Sequence, residues 1–183
     1  WVEEVARHTE VSFAAYSHWY SGSKYDMPVE VAERLLEIPN TVAVKWGSPD
    51  MENYVEGMRR FAPRAAVVNN GPLTIFGHIL GCRSYISHVP NFYPHMDWKV
   101  SDLMDQGRYI EAQRLYDEFM VPYSAITGAI RGATGGEGVF VKPFMDFVGL
   151  PGGHSRLPSR DAAVTPEMRN AIRKLMDTVA VAV

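Results

Sequence analysis

The sequence is poor in cysteine, and it contains no long hydrophobic run. Its single cysteine, Cys82, cannot form a disulfide within the chain, and no Cys/His cluster has the spacing of a zinc site. We therefore expect no metal and a reducing compartment, which favours a cytoplasmic protein. The apolar runs, such as TVAVAV at the C-terminus, are too short to span a bilayer, and no charged-then-apolar leader opens the chain, so we expect no membrane association.

Basic clusters are also missing. The 18 Lys and Arg residues are outnumbered by 21 Asp and Glu residues, which gives a formal net charge of -3. Without a basic stripe and interleaved aromatic residues, nucleic acid is not expected as a partner. What the chain does have is material for a core, because 46% of its 183 residues are hydrophobic.

Four β-rich runs alternate with amphipathic helical patterns. The predicted strands are residues 11–17, 41–46, 65–70 and 84–91, and helical patterns follow near residues 28–36, 51–61, 73–80 and 98–104. Ser48 is the predicted N-cap of the second of these helices, with Pro49 in its first turn. The alternation predicts parallel βαβ units, in either a doubly wound sheet or a (β/α)8 barrel. From about residue 108 the pattern becomes helical.

Lys45 is the next-to-last residue of an otherwise apolar predicted strand, TVAVKW. Alternation places Lys45 with Thr41 and Ala43 on one face of the strand and Val42, Val44 and Trp46 on the other. If the Lys45 face points into a barrel, partial desolvation would lower the pKa of the amine and make it a nucleophile towards ketones. The alternative is a lysine that reaches solvent from the end of a strand, and from spacing alone that alternative is the more common case.

Two segments carry a resemblance to a known family. IPNTVAVKW resembles the Schiff-base strand of the dihydrodipicolinate synthase and N-acetylneuraminate lyase family of class I aldolases, and VSFAAYSHWYSGSKYDMP resembles the strand and loop before it. Tyr16, Pro28 and Lys45 lie at positions that match the family pattern, except that the spacing before the lysine differs by about one residue. GCRSYISHVPNFYP is similar to the eighth strand of that family and its exit.

The resemblance implies an α/β fold, the (β/α)8 TIM barrel, of which this chain carries strands 5 to 8 plus C-terminal helices. Residues 1–107 are then the second half of the barrel, with four βα units, and residues 108–183 are a C-terminal helical segment packed on the barrel. The chain opens with Trp1, and the first four strands are not in it. We expect either a longer chain or a second chain to complete the barrel, because an open half barrel leaves two strand edges unpaired.

The resemblance also implies a chemistry and a set of site residues. Lys45 would attack the keto group of pyruvate or a related 2-oxo acid, and Tyr16 would carry protons, with no cofactor. Residues at the strand ends and in the loop after the first strand would bind substrate: His18, Ser21, Asn69, Asn70, Gly71, Ser87, His88 and Asn91. Without the family spacing, the more common interpretation of Tyr16 is an ordinary core aromatic residue. For His88, a histidine in a polar rim is as good an interpretation as a substrate-binding residue.

Two departures from the family pattern bear on the reaction. Ser21 stands where dihydrodipicolinate synthases carry an arginine, and Asn69-Asn70-Gly71 stands where sialic acid lyases have glycine and acidic residues. Neither of those two reactions is therefore favoured. Three hypotheses remain: a Schiff-base aldolase or lyase, a keto-deoxy sugar acid dehydratase of the same family, and a non-catalytic member that serves as a binding or oligomerisation module. The family commonly forms homotetramers, which implies a homo-oligomer, either dimer or tetramer.

Overall fold

In a computed structural model, the described residues are 1–19, 26–134, 138–156 and 163–180. The chain divides into two compact units, residues 1–86 and residues 87–183. In the described residues, no helix is both long enough and apolar enough to cross a membrane.

The first unit is a four-stranded parallel sheet with helices between its strands. Its strands are β1 (Phe13–Tyr16), β2 (Thr41–Trp46), β3 (Ala66–Asn69) and β4 (Ser84–Tyr85), in the spatial order β1-β2-β3-β4. Its helices are α1 (Val2–Ala6), α2 (Val29–Leu36), α3 (Met51–Phe61) and α4 (Thr74–Ile79). The predicted α/β class with sequential parallel βα units is confirmed.

The core of this unit lies between the sheet and its helices. Val44 and Trp46 of β2 are fully buried, as are Met58 and Phe61 of α3, and the Trp46 and Phe61 rings meet edge to face with centroids 5.0 Å apart. The i, i+3, i+4 apolar stripe of α3 supplies its share of this layer. Because side chains alternate along a strand, Lys45 lies on the other face of β2, and it is only partly buried there.

The last strand is much shorter than the sequence predicts. The prediction was residues 84–91, but β4 ends at Tyr85, and residues Val89–Asn91 form a 3-10 turn. Pro90 suits the first positions of this 3-10 turn, because it has no N–H to donate.

The predicted N-cap of α3 is also corrected. Asp50, not Ser48, is the N-cap, and its carboxylate accepts a hydrogen bond from the Asn53 N–H at 2.8 Å. The Ser48 hydroxyl instead accepts from the Asp50 N–H at 3.0 Å and donates to Asp26 at 2.7 Å. A carboxylate also suits the positive end of the helix dipole better than a hydroxyl does.

The second unit is helical, and the sequence predicts helical structure from about residue 108 onward. Its helices are α5 (Pro94–Asp105), α6 (Tyr109–Thr134), α7 (Lys142–Phe147) and α8 (Pro166–Ala180), and a second 3-10 turn covers Gly138–Phe140. An aromatic cluster fills its core: Phe92 stacks on Phe144 at 4.8 Å between centroids, with Phe119 and Tyr123 around them. The compact units divide at residue 86, and α5 packs on α6, whereas the sequence places a domain boundary at residue 107. That domain division stays a prediction.

Candidate active site at the carboxyl ends of the strands

Lys45 and Tyr16 form the centre of the candidate site. They are register partners on the neighbouring strands β2 and β1, and both lie at the carboxyl ends of those strands. The Lys45 Nζ lies 3.8 Å from the centroid of the Tyr16 ring. This distance is typical of a cation–π contact, so the tyrosine face holds the lysine amine at this edge of the sheet. The Tyr16 side chain remains accessible, with 38% of the residue exposed.

His18 joins this pair from the segment after β1. Its ring lies 4.9 Å from that of Tyr16, tilted by 50°. The structure therefore brings together three of the residues that the sequence predicts for the site, Tyr16, His18 and Lys45. Ser21 lies outside the described residues.

Ser17 ties the ends of three strands together. It is fully buried, its N–H donates to the Lys45 carbonyl at 3.0 Å, and its hydroxyl donates to the Gly47 carbonyl at 2.9 Å. Its own carbonyl accepts from the Asn70 side chain at 3.4 Å. The sequence analysis did not select Ser17, because a serine after a strand has no pattern of its own.

Gly47 lets the segment after β3 approach the end of β2. A Cβ at this position would collide with the carbonyl oxygen of Asn70, and the Asn70 N–H donates to the Trp46 carbonyl at 2.7 Å. Only glycine leaves room for two backbones this close. The exits of β2 and β3 are therefore in direct contact two residues beyond Lys45.

Asn69 and Asn70 have side chains engaged with protein groups. Asn69 is buried on the same face of β3 as Val67. Its side-chain oxygen, Oδ1, accepts a hydrogen bond from the Tyr54 hydroxyl at 2.7 Å, and its side-chain nitrogen, Nδ2, donates to the Gly71 carbonyl at 3.0 Å. Gly71 is exposed, with open space around it. The part of this turn that faces outward is thus its backbone at Gly71. The sequence analysis included Tyr54 only in the helical pattern near residues 51–61, and it did not predict this hydrogen bond.

The three remaining predicted residues belong to the second unit. The Ser87 hydroxyl donates to the buried carboxylate of Asp97 at 3.0 Å and accepts from the Val89 N–H at 3.2 Å. The Asn91 amide donates to the His88 carbonyl at 2.8 Å, and the His88 ring lies 5.2 Å from that of Phe140. Ser87 and Asn91 thus stabilise the 3-10 turn, while His88 is exposed.

Within the part of the chain that the structure describes, no three His, Cys, Asp or Glu side chains converge on a point where they could hold a metal ion. Among the described residues at or just after the ends of β1, β2 and β3 are the Lys45 amine, the Tyr16 phenol, the His18 imidazole and the exposed backbone of Gly71.

Comparison with known proteins identifies the family. Residues 2–179 match the sequence model of the dihydrodipicolinate synthetase family. A curated relative, "Probable 5-dehydro-4-deoxyglucarate dehydratase" of Oceanobacillus iheyensis, is 28% identical over 155 residues, which are 82% of this chain and 48% of that protein. The chain thus spans about half of the length of this relative.

Solved structures agree on the fold. A dihydrodipicolinate synthase from Aquifex aeolicus aligns with 97% of this chain and 58% of its own, at a TM-score of 0.79 and 20% identity. An N-acetylneuraminate lyase from Fusobacterium nucleatum aligns with 97% of this chain and 58% of its own, at a TM-score of 0.75 and 16% identity. The predicted TIM-barrel class, carried here in part, is confirmed. The chain belongs to the dihydrodipicolinate synthetase family.

Proposed function

We propose that the protein is a lyase that forms a Schiff base between Lys45 and a 2-oxo acid. One observation carries the proposal: the only lysine at a strand end among the described residues has its Nζ 3.8 Å from the ring of the predicted proton carrier, Tyr16. Carboxyl ends of parallel strands are where barrel enzymes hold their reacting groups.

The chemistry begins at the Lys45 amine. In its neutral form the amine adds to the keto carbon of the substrate, and loss of water gives an iminium. The positive iminium withdraws electrons, so a proton leaves the neighbouring carbon, C3, and an enamine forms. When the substrate carries a hydroxyl on C4, the enamine expels it as water and a conjugated iminium results. Hydrolysis of that iminium frees the product and regenerates Lys45, so the net change is loss of one water.

Tyr16 is the proposed proton carrier for these steps. Its phenol would donate a proton to the water lost as the iminium forms, and the phenolate would then accept the proton from C3. The restored phenol would protonate the C4 hydroxyl as it leaves, and the phenolate would recover its proton when water hydrolyses the final iminium. Its partial exposure leaves that path open, and the contact between its ring face and the Lys45 Nζ holds both groups at one place. Ser17, through its bonds to the Lys45 and Gly47 carbonyls, supports the backbone beneath them.

Dehydration of a keto-deoxy sugar acid is the reaction we favour. The curated relative bears the name of a 5-dehydro-4-deoxyglucarate dehydratase. Ser21 does not supply the guanidinium that would hold the second carboxylate in condensation with aspartate semialdehyde. Carbon–carbon cleavage uses the same iminium and differs only in whether the C4 hydroxyl leaves or loses its proton, so aldol cleavage of a related 2-oxo acid is the second candidate.

The rest of the barrel is part of this proposal. The chain covers about half of the length of its curated relative, so the proposed activity belongs to the complete protein. We propose that the complete protein acts in the cytoplasm on a small 2-oxo acid, without a cofactor, as a homo-oligomer.

Borohydride trapping tests the proposal. The full-length protein is incubated with pyruvate or with 5-dehydro-4-deoxyglucarate, reduced, and digested. We expect a stable adduct on the peptide NTVAVKWGSPD, and none on Lys99 or Lys174, which lie on helices. Lys45→Arg keeps the charge and removes the nucleophile, so adduct and turnover should vanish together. An unmodified Lys45 with every 2-oxo acid tried would instead favour the non-catalytic alternative.

A further inference from the structure

Tyr54 is a buried tyrosine of α3 whose hydroxyl has a specific partner. The residue is 1% exposed, and its hydroxyl donates to the Asn69 carbonyl oxygen at 2.7 Å. Its backbone carbonyl accepts from the Trp46 indole N–H at 3.1 Å. Tyr54 therefore contacts the ends of both β2 and β3 from the helix layer.

Asn69 links Tyr54 to the turn after β3. Like Tyr54, it is 1% exposed, and its amide nitrogen donates to the Gly71 carbonyl at 3.0 Å. Both ends of the amide are thus occupied, one by Tyr54 and one by the turn. Since the Asn69 carbonyl oxygen must face the Tyr54 hydroxyl, its amide nitrogen must face Gly71.

Helix α4 packs against the Tyr54 hydroxyl. A Cβ on Gly77 would come within 2.7 Å of the hydroxyl oxygen, so α4 packs directly on it. Burial also raises the pKa of the Tyr54 phenol above its ordinary value, so the hydroxyl keeps its proton throughout the physiological range. It is a permanent donor to Asn69.

The turn that Tyr54 controls lies beside Lys45. Val68, which immediately precedes Asn69, is the register partner of Lys45. Adjacent strands are about 4.8 Å apart, so the Asn69–Gly71 turn is within reach of a six-carbon chain joined to Lys45 but contributes little to pyruvate, which ends after three carbons. The exposed Gly71 backbone is the surface that such a chain would meet.

We propose that Tyr54 is a positioning residue that fixes the Asn69–Gly71 turn for the distal part of a long 2-oxo acid. The role rests on the proposed Schiff-base function. Without the hydroxyl, the Asn69 carbonyl oxygen is left buried and unpaired, its amide loses its fixed orientation, and the Gly71 backbone is no longer held. Tyr54 should therefore matter for long substrates and not for pyruvate.

Tyr54→Phe in the full-length protein tests this role. The measurement is the concentration of each 2-oxo acid that gives half-maximal borohydride trapping on Lys45, together with kcat and KM. For 5-dehydro-4-deoxyglucarate we expect the half-maximal concentration and KM to rise about 10-fold, the size of a lost buried hydrogen bond, while the value for pyruvate changes by less than about 2-fold. A merely structural role would change both alike.

Tyr123→Phe is the matched control. Tyr123 is also buried, but its hydroxyl has no hydrogen-bond partner among the described residues, so its removal should leave both trapping concentrations unchanged. Asn69→Ala provides a second route, which also serves if Tyr54→Phe does not fold. Asn69→Ala should also raise the half-maximal trapping concentration for 5-dehydro-4-deoxyglucarate and not for pyruvate. In the Asn69→Ala background, Tyr54→Phe should change that concentration by less than about a further 2-fold, because both substitutions remove the same contact.

Each outcome decides the matter. Three results would overturn the role of Tyr54 and leave the Lys45 chemistry intact. They are equal changes in the half-maximal trapping concentration for both acids, no change for the long acid, and additive effects of Tyr54→Phe and Asn69→Ala. If the wild-type protein traps pyruvate but not the sugar acid, the substrate class fails and the Tyr54 role with it. If no adduct forms on Lys45 with either acid, the proposed function itself fails.

Discussion

Lys45 and Tyr16 are opposite each other on adjacent parallel strands, and the lysine Nζ lies over the face of the tyrosine ring at 3.8 Å from its centroid. The ring, not the hydroxyl, therefore makes the contact with the amine. The two parts of Tyr16 can then serve different purposes: the ring places the nucleophile, and the hydroxyl moves protons.

Tyr16→Phe separates these two purposes. Phenylalanine keeps the ring under Lys45 but lacks the proton donor, so we expect turnover to fall by about 10² to 10⁴-fold while slow borohydride trapping persists. Tyr16→Ala removes both and should also reduce trapping. Equal loss of trapping in the two variants would show that the hydroxyl, and not the ring, orients Lys45.

Condensation of pyruvate with aspartate semialdehyde should be negligible. Ser21 offers a hydroxyl where a guanidinium fork would hold the second carboxylate in two parallel hydrogen bonds. A coupled reductase assay on the full-length protein measures this directly. Ser21→Arg, which introduces the guanidinium at this position, is the variant to compare. Rapid condensation by the unmodified protein would mean that another residue supplies the positive charge for the second carboxylate.

Local pattern predicts most of the first unit. The strands at Phe13–Tyr16 and Thr41–Trp46 and the stripe on α3 follow from periodicity, and their parallel order follows from the alternation of strand and helix. The predicted N-cap of α3 was wrong because Ser48 and Asp50 are both good capping residues and lie only two positions apart. In the structure Ser48 is engaged by Asp26, a residue 22 positions away.

The site is predictable only in part. The spacing of Tyr16 and Lys45 carries the family resemblance, and the parallel register then places them together. The hydrogen bond from Tyr54 to Asn69 could not be predicted, because it depends on how α3 packs over two strands. An apolar stripe predicts that Tyr54 is buried, but it does not say where the hydroxyl points.

Cys82 should be unreactive in the folded protein. Burial raises the pKa of its thiol, and the sulfur lies 2.9 Å from the Val67 carbonyl and 3.0 Å from the Ser84 carbonyl, where a thiolate would be repelled. At pH 8 we expect labelling by iodoacetamide on the Cys82 peptide to be far slower than in denaturant, since the thiolate is the reactive form. Ser124→Cys, on an exposed position of α6, should label rapidly in the same sample. Rapid labelling of native Cys82 would mean that β3 and β4 open readily.

Gly47→Ala should destabilise the protein and disturb the site together. The new Cβ would meet the Asn70 carbonyl oxygen, which is backbone and cannot rotate away, so the exit of β2 or the turn after β3 must move. Overpacking of this kind costs about 1–3 kcal/mol of the free energy of unfolding. Because Ser17 bonds to the Gly47 carbonyl as well as to that of Lys45, the shift should also reach Lys45, the proposed nucleophile.

Urea denaturation and the rate of pyruvate trapping measure the two effects of Gly47→Ala. Gly128→Ala is the control for stability: Gly128 lies in the exposed interior of α6 with open space around it, so alanine should raise the free energy of unfolding by up to about 1 kcal/mol. The expected result for Gly47→Ala is a lower urea midpoint and slower trapping under conditions where the protein is still folded. A variant with the wild-type midpoint would show that the contact between the β2 exit and Asn70 is looser than the structure indicates, and the fixed geometry around Lys45 would then need another source.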